Sequence, residues 1–371
     1  MSTRRKVAIA AVVWLAACAP ALAKDIVVAQ IAAFSGAQAV SGKAIRAGLK
    51  LYIDQVNKTG GIGGDRITLR TYDDGYKAEE TVRLAKEVLA KESPMAFVGV
   101  LGTANCEALA KDGSLAKSGV PLIGAISGAY SLVGAPGMFV TKASYRDEVR
   151  RLFELLSSMG VNKVAVVFQD DGFGRDILSG AEIAAPKTGI NLVAKAPYER
   201  NTTKVENAIQ QVLKSDAQAV YLGAVTTAAA AFIKGYRQGG GSAQIYGVSV
   251  VDVESLKKVL GPDLVAGYGF GVLWPLTTSR EFPMIREYQK LSAEAKDPDL
   301  AERSMEGFIA AKILVQGLKQ TRASPAALSK TVRAMQGVDL GGFFVDFTQP
   351  ERTGSQYVEF AIVGRGGQIQ H

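Results

Sequence analysis

Strand-length apolar runs alternate with helix-period segments along almost the whole chain, and that alternation restricts the fold to open α/β sheets. Asp25 to Ala32 reads as a buried strand, and Ser41 to Val56 follows as a helix with Ile45, Leu49, Tyr52 and Val56 on one face and Ser41 as its expected N-cap. Asn57-Lys-Thr-Gly-Gly-Ile-Gly-Gly64 stops it. Strand 67–71, helix 78–92, strand 95–101, a helix near 104–117 and strand 120–126 continue the series. A second series starts after Tyr145: helix 146–159, strand 163–169, a helix after Phe173, strand 190–195, helix 204–213, strand 217–223, helix 226–237, strand 244–250 and helix 254–260. Gly267 to Leu273 then leads into three helical segments, 282–295, 304–318 and 324–336. The last thirty residues break the rhythm, and Phe343 to Phe347 and Tyr357 to Val363 around Pro350 to Gly354 read as a hairpin. The expectation is two doubly wound open sheets. At about 150 residues per domain, 371 residues accommodate two such bodies.

The N-terminus sets the compartment. Met1 to Lys6 is basic, Val7 to Ala17 is an apolar run too short to span a bilayer, and Ala21-Leu22-Ala23 supplies a small-residue cleavage triplet. Residues 1–23 therefore read as a secretory signal cut before Lys24, with a competing lipoprotein cut that would leave Cys18 lipidated. No later apolar run is long enough to cross a membrane, so an exported chain in the periplasm is expected.

Charge and residue counts remove several function classes. The formal net charge is +8, and losing residues 1–23, which carry Arg4, Arg5 and Lys6 and no acid, leaves +5. That remainder is scattered in pairs such as Arg150-Arg151 and Lys257-Lys258, without the clustered basic stripe that a phosphate backbone requires, so no nucleic-acid partner is expected. The only histidine is His371, and Cys106 is the only cysteine after Cys18. Ser-His-Asp or Cys-His catalysis, an intrachain disulfide and a conventional zinc site all lack their residues, so neither an enzyme nor a metal or other cofactor is expected. Asp170-Asp171, the remaining carboxylate pair, suits a turn.

The glycine clusters do not form a cofactor loop. Gly60 to Gly64 follows a helix and precedes a strand, the reverse of the order in a dinucleotide fingerprint. Gly239 to Gly241 occupies a similar place, and Gly267, Gly269 and Gly271 alternate within a strand-like run, where close approach or a crossing between lobes is expected.

Several motifs, in order and spacing, resemble ABC-transporter solute-binding proteins of the type I periplasmic fold, in the leucine/isoleucine/valine-binding family. They include Phe34-Ser-Gly36, Asn57 to Gly64, Tyr72-Asp-Asp74, Phe97 to Thr103, Val120 to Gly124, Ala143 to Glu148, Gln169 to Asp176 and Ser304 to Ala311. The resemblance covers residues 24–371. It implies two lobes joined by three hinge crossings, lobe 1 comprising 24–142 and 272–340 and lobe 2 comprising 143–271 and 341–371, closing on a ligand by hinge motion.

Two strand ends carry the site argument. Thr103 follows strand 95–101 and opens a helix, where free N–H groups and the helix dipole favour a ligand carboxylate. Ser127 follows strand 120–126 in the same way, with Gly128 as the neighbouring match, and Asn105 is placed to join that turn. By resemblance, Phe173 covers the ligand from the second lobe, Val225 stands where the family often carries an aromatic, and Ser249 stands where amino-acid-binding members carry a glutamate for the α-ammonium. A serine cannot neutralise an ammonium; either Asp252 or Glu254 replaces that glutamate, or the ligand is a carboxylic acid without an amino group, such as an aromatic acid. Tyr76 and Gly102 stand where some relatives have a disulfide pair. The implied function is capture of an amino acid of branched-chain type, or a related small carboxylate, by a monomer that delivers it to an ABC permease. The same fold also suits a ligand sensor docking on a receptor or regulator.

Overall fold

The computed structural model describes residues 24–370. The expectations for residues 1–23, including Cys18, and for His371 fall outside them. The chain first lays down β1 (Asp25–Ala32), α1 (Ala39–Lys58), β2 (Arg66–Asp73), α2 (Ala78–Lys91), β3 (Ala96–Val98), α3 (Thr103–Asp112), α4 (Ser114–Ser118), β4 (Leu122–Ile123) and β5 (Met138–Phe139). These strands form a five-stranded parallel sheet in the order β2-β1-β3-β4-β5. β1 is buried along nearly its whole length, as a central strand covered on both faces must be.

The second series is α5 (Tyr145–Ser158), β6 (Lys163–Gln169), α6 (Gly172–Thr188), β7 (Asn191–Tyr198), α7 (Glu206–Leu213), β8 (Ala219–Gly223), α8 (Thr226–Gln238), β9 (Gln244–Gly247), α9 (Val253–Leu260), α10 (Pro262–Val265) and β10 (Gly269–Val272). The chain then returns with α11 (Pro283–Ala295), α12 (Ser304–Gln320), α13 (Pro325–Arg333), β11 (Val338–Asp339) and β12 (Phe344–Val345) before ending in β13 (Glu359–Val363) and β14 (Ile369–Gln370). The second sheet has seven strands in the order β14-β13-β10-β9-β8-β6-β7, parallel except at β13 and β14.

Two lobes result, and the chain passes between them three times. α11 to α13 lie in the same apolar core as β1 and β3, together with Phe343, Val345 and Phe347, whereas β13 contributes Ala361 and Val363 to the second core. The passages therefore follow β5, β10 and β12. α12 is the central helix of the first lobe. Met305, Phe308, Ile309, Ile313, Leu314 and Val315 are all buried, leaving it apolar around nearly its full circumference. It packs against α1 at backbone distance: a Cβ on Gly48 would lie 1.8 Å from the Ser304 carbonyl oxygen, and one on Gly307 would lie 2.0 Å from that of Ile45.

The structure corrects several local expectations. Ser41 is not an N-cap; it lies inside α1, buried, and its hydroxyl accepts from Arg303. The helix expected over 104–117 is two helices, broken at Gly113, whose φ of 74° is left-handed. The C-terminal hairpin does not form. β12 pairs with β11, and β13 pairs with β10 and β14, because the segment around Pro350 carries the chain from one lobe to the other. β5 was hidden in a loop-like sequence, being two residues long.

Gly307→Leu should lower stability by at least about 2–3 kcal/mol, because the side chain meets backbone that cannot yield without moving α1. A fall in the urea midpoint measures it, and a midpoint within error of the unsubstituted protein would contradict the packing.

Candidate functional site

Segments that leave the carboxyl ends of parallel strands converge on one small cavity between the lobes. Gln38 lies after β1, Tyr76 after β2, Leu101, Gly102 and Thr103 after β3, and Ile126 after β4; from the second sheet come Phe173 after β6, Val225 after β8 and Val250 after β9. Tyr145 and Arg303 complete the lining. Open α/β sheets bind ligands at this edge because their loops and helix N-termini diverge there. The cavity is about 10 Å³, the space of one water, so a solute enters only when the lobes part.

The first lobe presents a helix start. Gly102, at φ 108°, is the N-cap of α3, no side chain caps that end, and the first-turn amides lie beside the cavity. The Thr103 and Ser127 hydroxyls sit 2.7 Å apart, both buried, and Ser127 Oγ also accepts from the Ala129 amide. A carboxylate placed here would meet two hydroxyls and the positive end of a helix.

Other residues named from the sequence turn elsewhere. Asn105 is buried and donates to Asp74 and Thr81. The Gly128 carbonyl accepts from the Tyr145 amide at 2.8 Å. Ser249 donates through both its amide and its hydroxyl to the Glu148 carboxylate, and with Glu254 it lines a different cavity. Asp252 caps α9 through the Ser255 amide. Phe173 and Val225, by contrast, stay in the cavity lining; Phe173 packs edge-on against Tyr145 at 5.2 Å, and the Val225 amide donates to the Tyr198 hydroxyl. Asp170 and Asp171 pair with Arg175 and Arg200 respectively.

Two arginines that sequence reasoning missed hold the lobes together. Arg200, after β7, donates to Asp171 within its own lobe and reaches across to the Tyr76 carbonyl and Asn105 Oδ1, with its guanidinium 4.1 Å from the centre of the Tyr76 ring. Arg303 precedes α12 and donates across the gap to the Val250 carbonyl at 2.7 Å. Nothing local separates these two from surface arginines; only the neighbouring Ser304-Met-Glu306 motif hints at Arg303.

Buried charges surround the hinge. Glu306 accepts from Lys142 and from Arg303, all three being nearly inaccessible. Burial alone would raise its carboxyl, but the attraction of Arg303 and then Lys142 outweighs it and holds the group below its ordinary value. Glu148 is the opposite case. Burial pushes its carboxyl up to about 7, against hydrogen bonds from Ser249 and the charge of Lys142.

These lobes, hinge passages and strand-end cavity define a two-lobed solute-binding protein. The chain belongs to the periplasmic binding protein family, which matches residues 25–368. A substrate-binding periplasmic protein from Ralstonia solanacearum is 37% identical, with a TM-score of 0.89 over 93% of this chain and 99% of that one. A Leu/Ile/Val-binding protein homolog of Brucella suis is 23% identical, covering 90% of this chain and 86% of its own. A branched-chain amino acid ABC transporter protein from Thermus thermophilus, solved with bound valine, shares the fold at 19% identity, with a TM-score of 0.83 over 94% of this chain and 95% of that one. Among the described residues, no helix is long and apolar enough to cross a membrane.

Glu148 yields a pH test. The folded state binds its proton more tightly than the unfolded state, whose carboxyl has the ordinary value of 4.5, so stability falls as pH rises from there to about 7. Glu148→Gln, which cannot ionise, should remove about 3 kcal/mol of that slope. Urea unfolding at about pH 4.5 and about pH 8 reads it; an unchanged slope would contradict the assignment.

Proposed function

We propose that this protein captures an amino acid of the branched-chain type, or a related small carboxylate, between its lobes and delivers it as a monomer to an ABC permease. The convergence of strand ends on one interlobe cavity, beside the uncapped start of α3 and the Thr103 and Ser127 hydroxyls, carries this reading. Amino-acid-binding neighbours of the same fold support it. Residues 1–23 act in this reading as the export signal, cut before Lys24 or at Cys18. Lobe 1 then takes 24–142 with 272 to about 347, and lobe 2 the remainder, since Phe343 to Phe347 pack in the first core.

A carboxylic acid without an amino group is the second reading. Among the residues lining the cavity the one charged side chain is Arg303, with no carboxylate to meet an ammonium. A buried ammonium without a counter-charge is costly.

Isothermal titration of leucine, isoleucine, valine and phenylacetate into ligand-free protein separates the two readings, and no binding to any of them would sink both. Thr103→Ala should weaken binding of the active compound by about 1–3 kcal/mol through loss of a hydrogen bond to a charged group. Unchanged affinity would remove Thr103 from the site. Arg200→Ala should also weaken binding, because the ligand then drives closure without the Tyr76 and Asn105 contacts; faster ligand release in stopped flow checks it.

A further inference from the structure

A second, larger cavity of about 310 Å³ lies between the lobes beside the passage that follows β10, within the size range of small-molecule sites. Val253 and Phe270 wall it from the second lobe, Trp274 from the passage, and Tyr288 and Leu300 from the first lobe. Its charged lining residues are Glu254, Glu302 and Arg303, and of these only Glu302 has no ion-pair partner among the described residues. That carboxylate lines the cavity and is held by the Trp274 indole N–H at 3.1 Å and by the amide and hydroxyl of Thr277, all neutral donors. Close by, Asp252 is 2% exposed and has one carboxylate oxygen without a partner. Among the described residues neither carboxylate has an ion-pair partner, and the cations nearest in sequence are engaged elsewhere, Lys257 with Glu254 and Arg303 with Glu306. Burial, reinforced by the charge of Asp252, raises the Glu302 carboxyl above its ordinary value. A largely apolar chamber walled by Glu302, with Asp252 close behind it and its one lining cation, Arg303, already bound to Glu306, favours a cation with an apolar body.

We propose that this chamber is a second ligand site that takes a small primary amine, its ammonium against Glu302 and its apolar body against Trp274 and Phe270. Arg303 borders both cavities and is the one lining residue they share; the proposal does not depend on what the strand-end cavity binds. An occupant touches both lobes, so its binding is coupled to the hinge angle.

Trp14 and Trp274 are the only tryptophans in the chain. The full-length chain carrying Trp14→Phe therefore reports on this chamber through tryptophan emission alone. Titration with phenethylammonium should give a saturable change in Trp274 emission, about tenfold weaker with 2-phenylethanol and absent with 3-phenylpropionate. Glu302→Gln should weaken the amine by about tenfold or more. Because Glu302 also holds Thr277, Ser292→Phe serves as the second variant: it fills the chamber from α11, leaves the carboxylate in place, and should abolish the response. No saturable response at millimolar amine, equal affinity for amine and alcohol, or an intact response in Ser292→Phe would each overturn the proposal. Loss of the amine response in Thr103→Ala would place the amine in the strand-end cavity and overturn it as well.

Discussion

The carboxylate of Glu306 is the point to which both lobes are tied. It lies at the start of α12, deep in the first lobe, and receives Lys142 from the passage after β5 and Arg303 from the residues before the helix. Three charges in a nearly dry site are tolerable only because both cations share the one carboxylate, and removing Glu306 would leave Lys142 and Arg303 without it at a cost of about 3–5 kcal/mol. Through Arg303 the cluster continues to Ser41 on α1 and to the Val250 carbonyl in the second lobe. One small group of side chains thus fixes where a passage begins, how the central helix starts and how the far strand end is held.

Around that fixed point, the lobes touch through contacts that can be broken without disturbing either core. Arg200, Arg303 and the Tyr130 amide, which donates to Asp176, make polar links, and the facing residues Tyr76, Tyr145, Phe173 and Val225 supply apolar surface. Each lobe keeps its own buried cluster, so parting them exposes mainly the cavity lining. A ligand that touches both walls shifts the balance toward closure by its differential affinity for the closed form. The geometry suits reversible capture.

Much of this architecture was legible in the sequence because its elements announce themselves locally. β6 occupies Lys163–Gln169, the run read as a buried strand, and Thr103 stands at the start of α3, where a strand end meets a helix. What escaped was non-local. The region around Pro350 resembles a hairpin because two β-prone runs flank a turn-like segment, but the partners of those runs are Val338-Asp339 and β10, which only the assembled lobes bring alongside. Arg200 and Arg303 escaped for the same reason: each gains its role from residues about a hundred or more positions away, or across the lobe boundary. Ser249 shows the converse. The sequence placed it at a strand end, but Glu148, whose position beneath that strand follows from the packing of α5, draws it away from the strand-end cavity.

The interleaving of the lobes also governs the order in which the chain can fold. α1 must dock against α12, whose residues emerge from the ribosome only after the whole of β6 to β10 has been made. The first sheet therefore waits, with one face uncovered, while the second lobe assembles most of its own sheet. Contacts spanning such sequence separations slow folding, since loop-closure entropy is lost before they form.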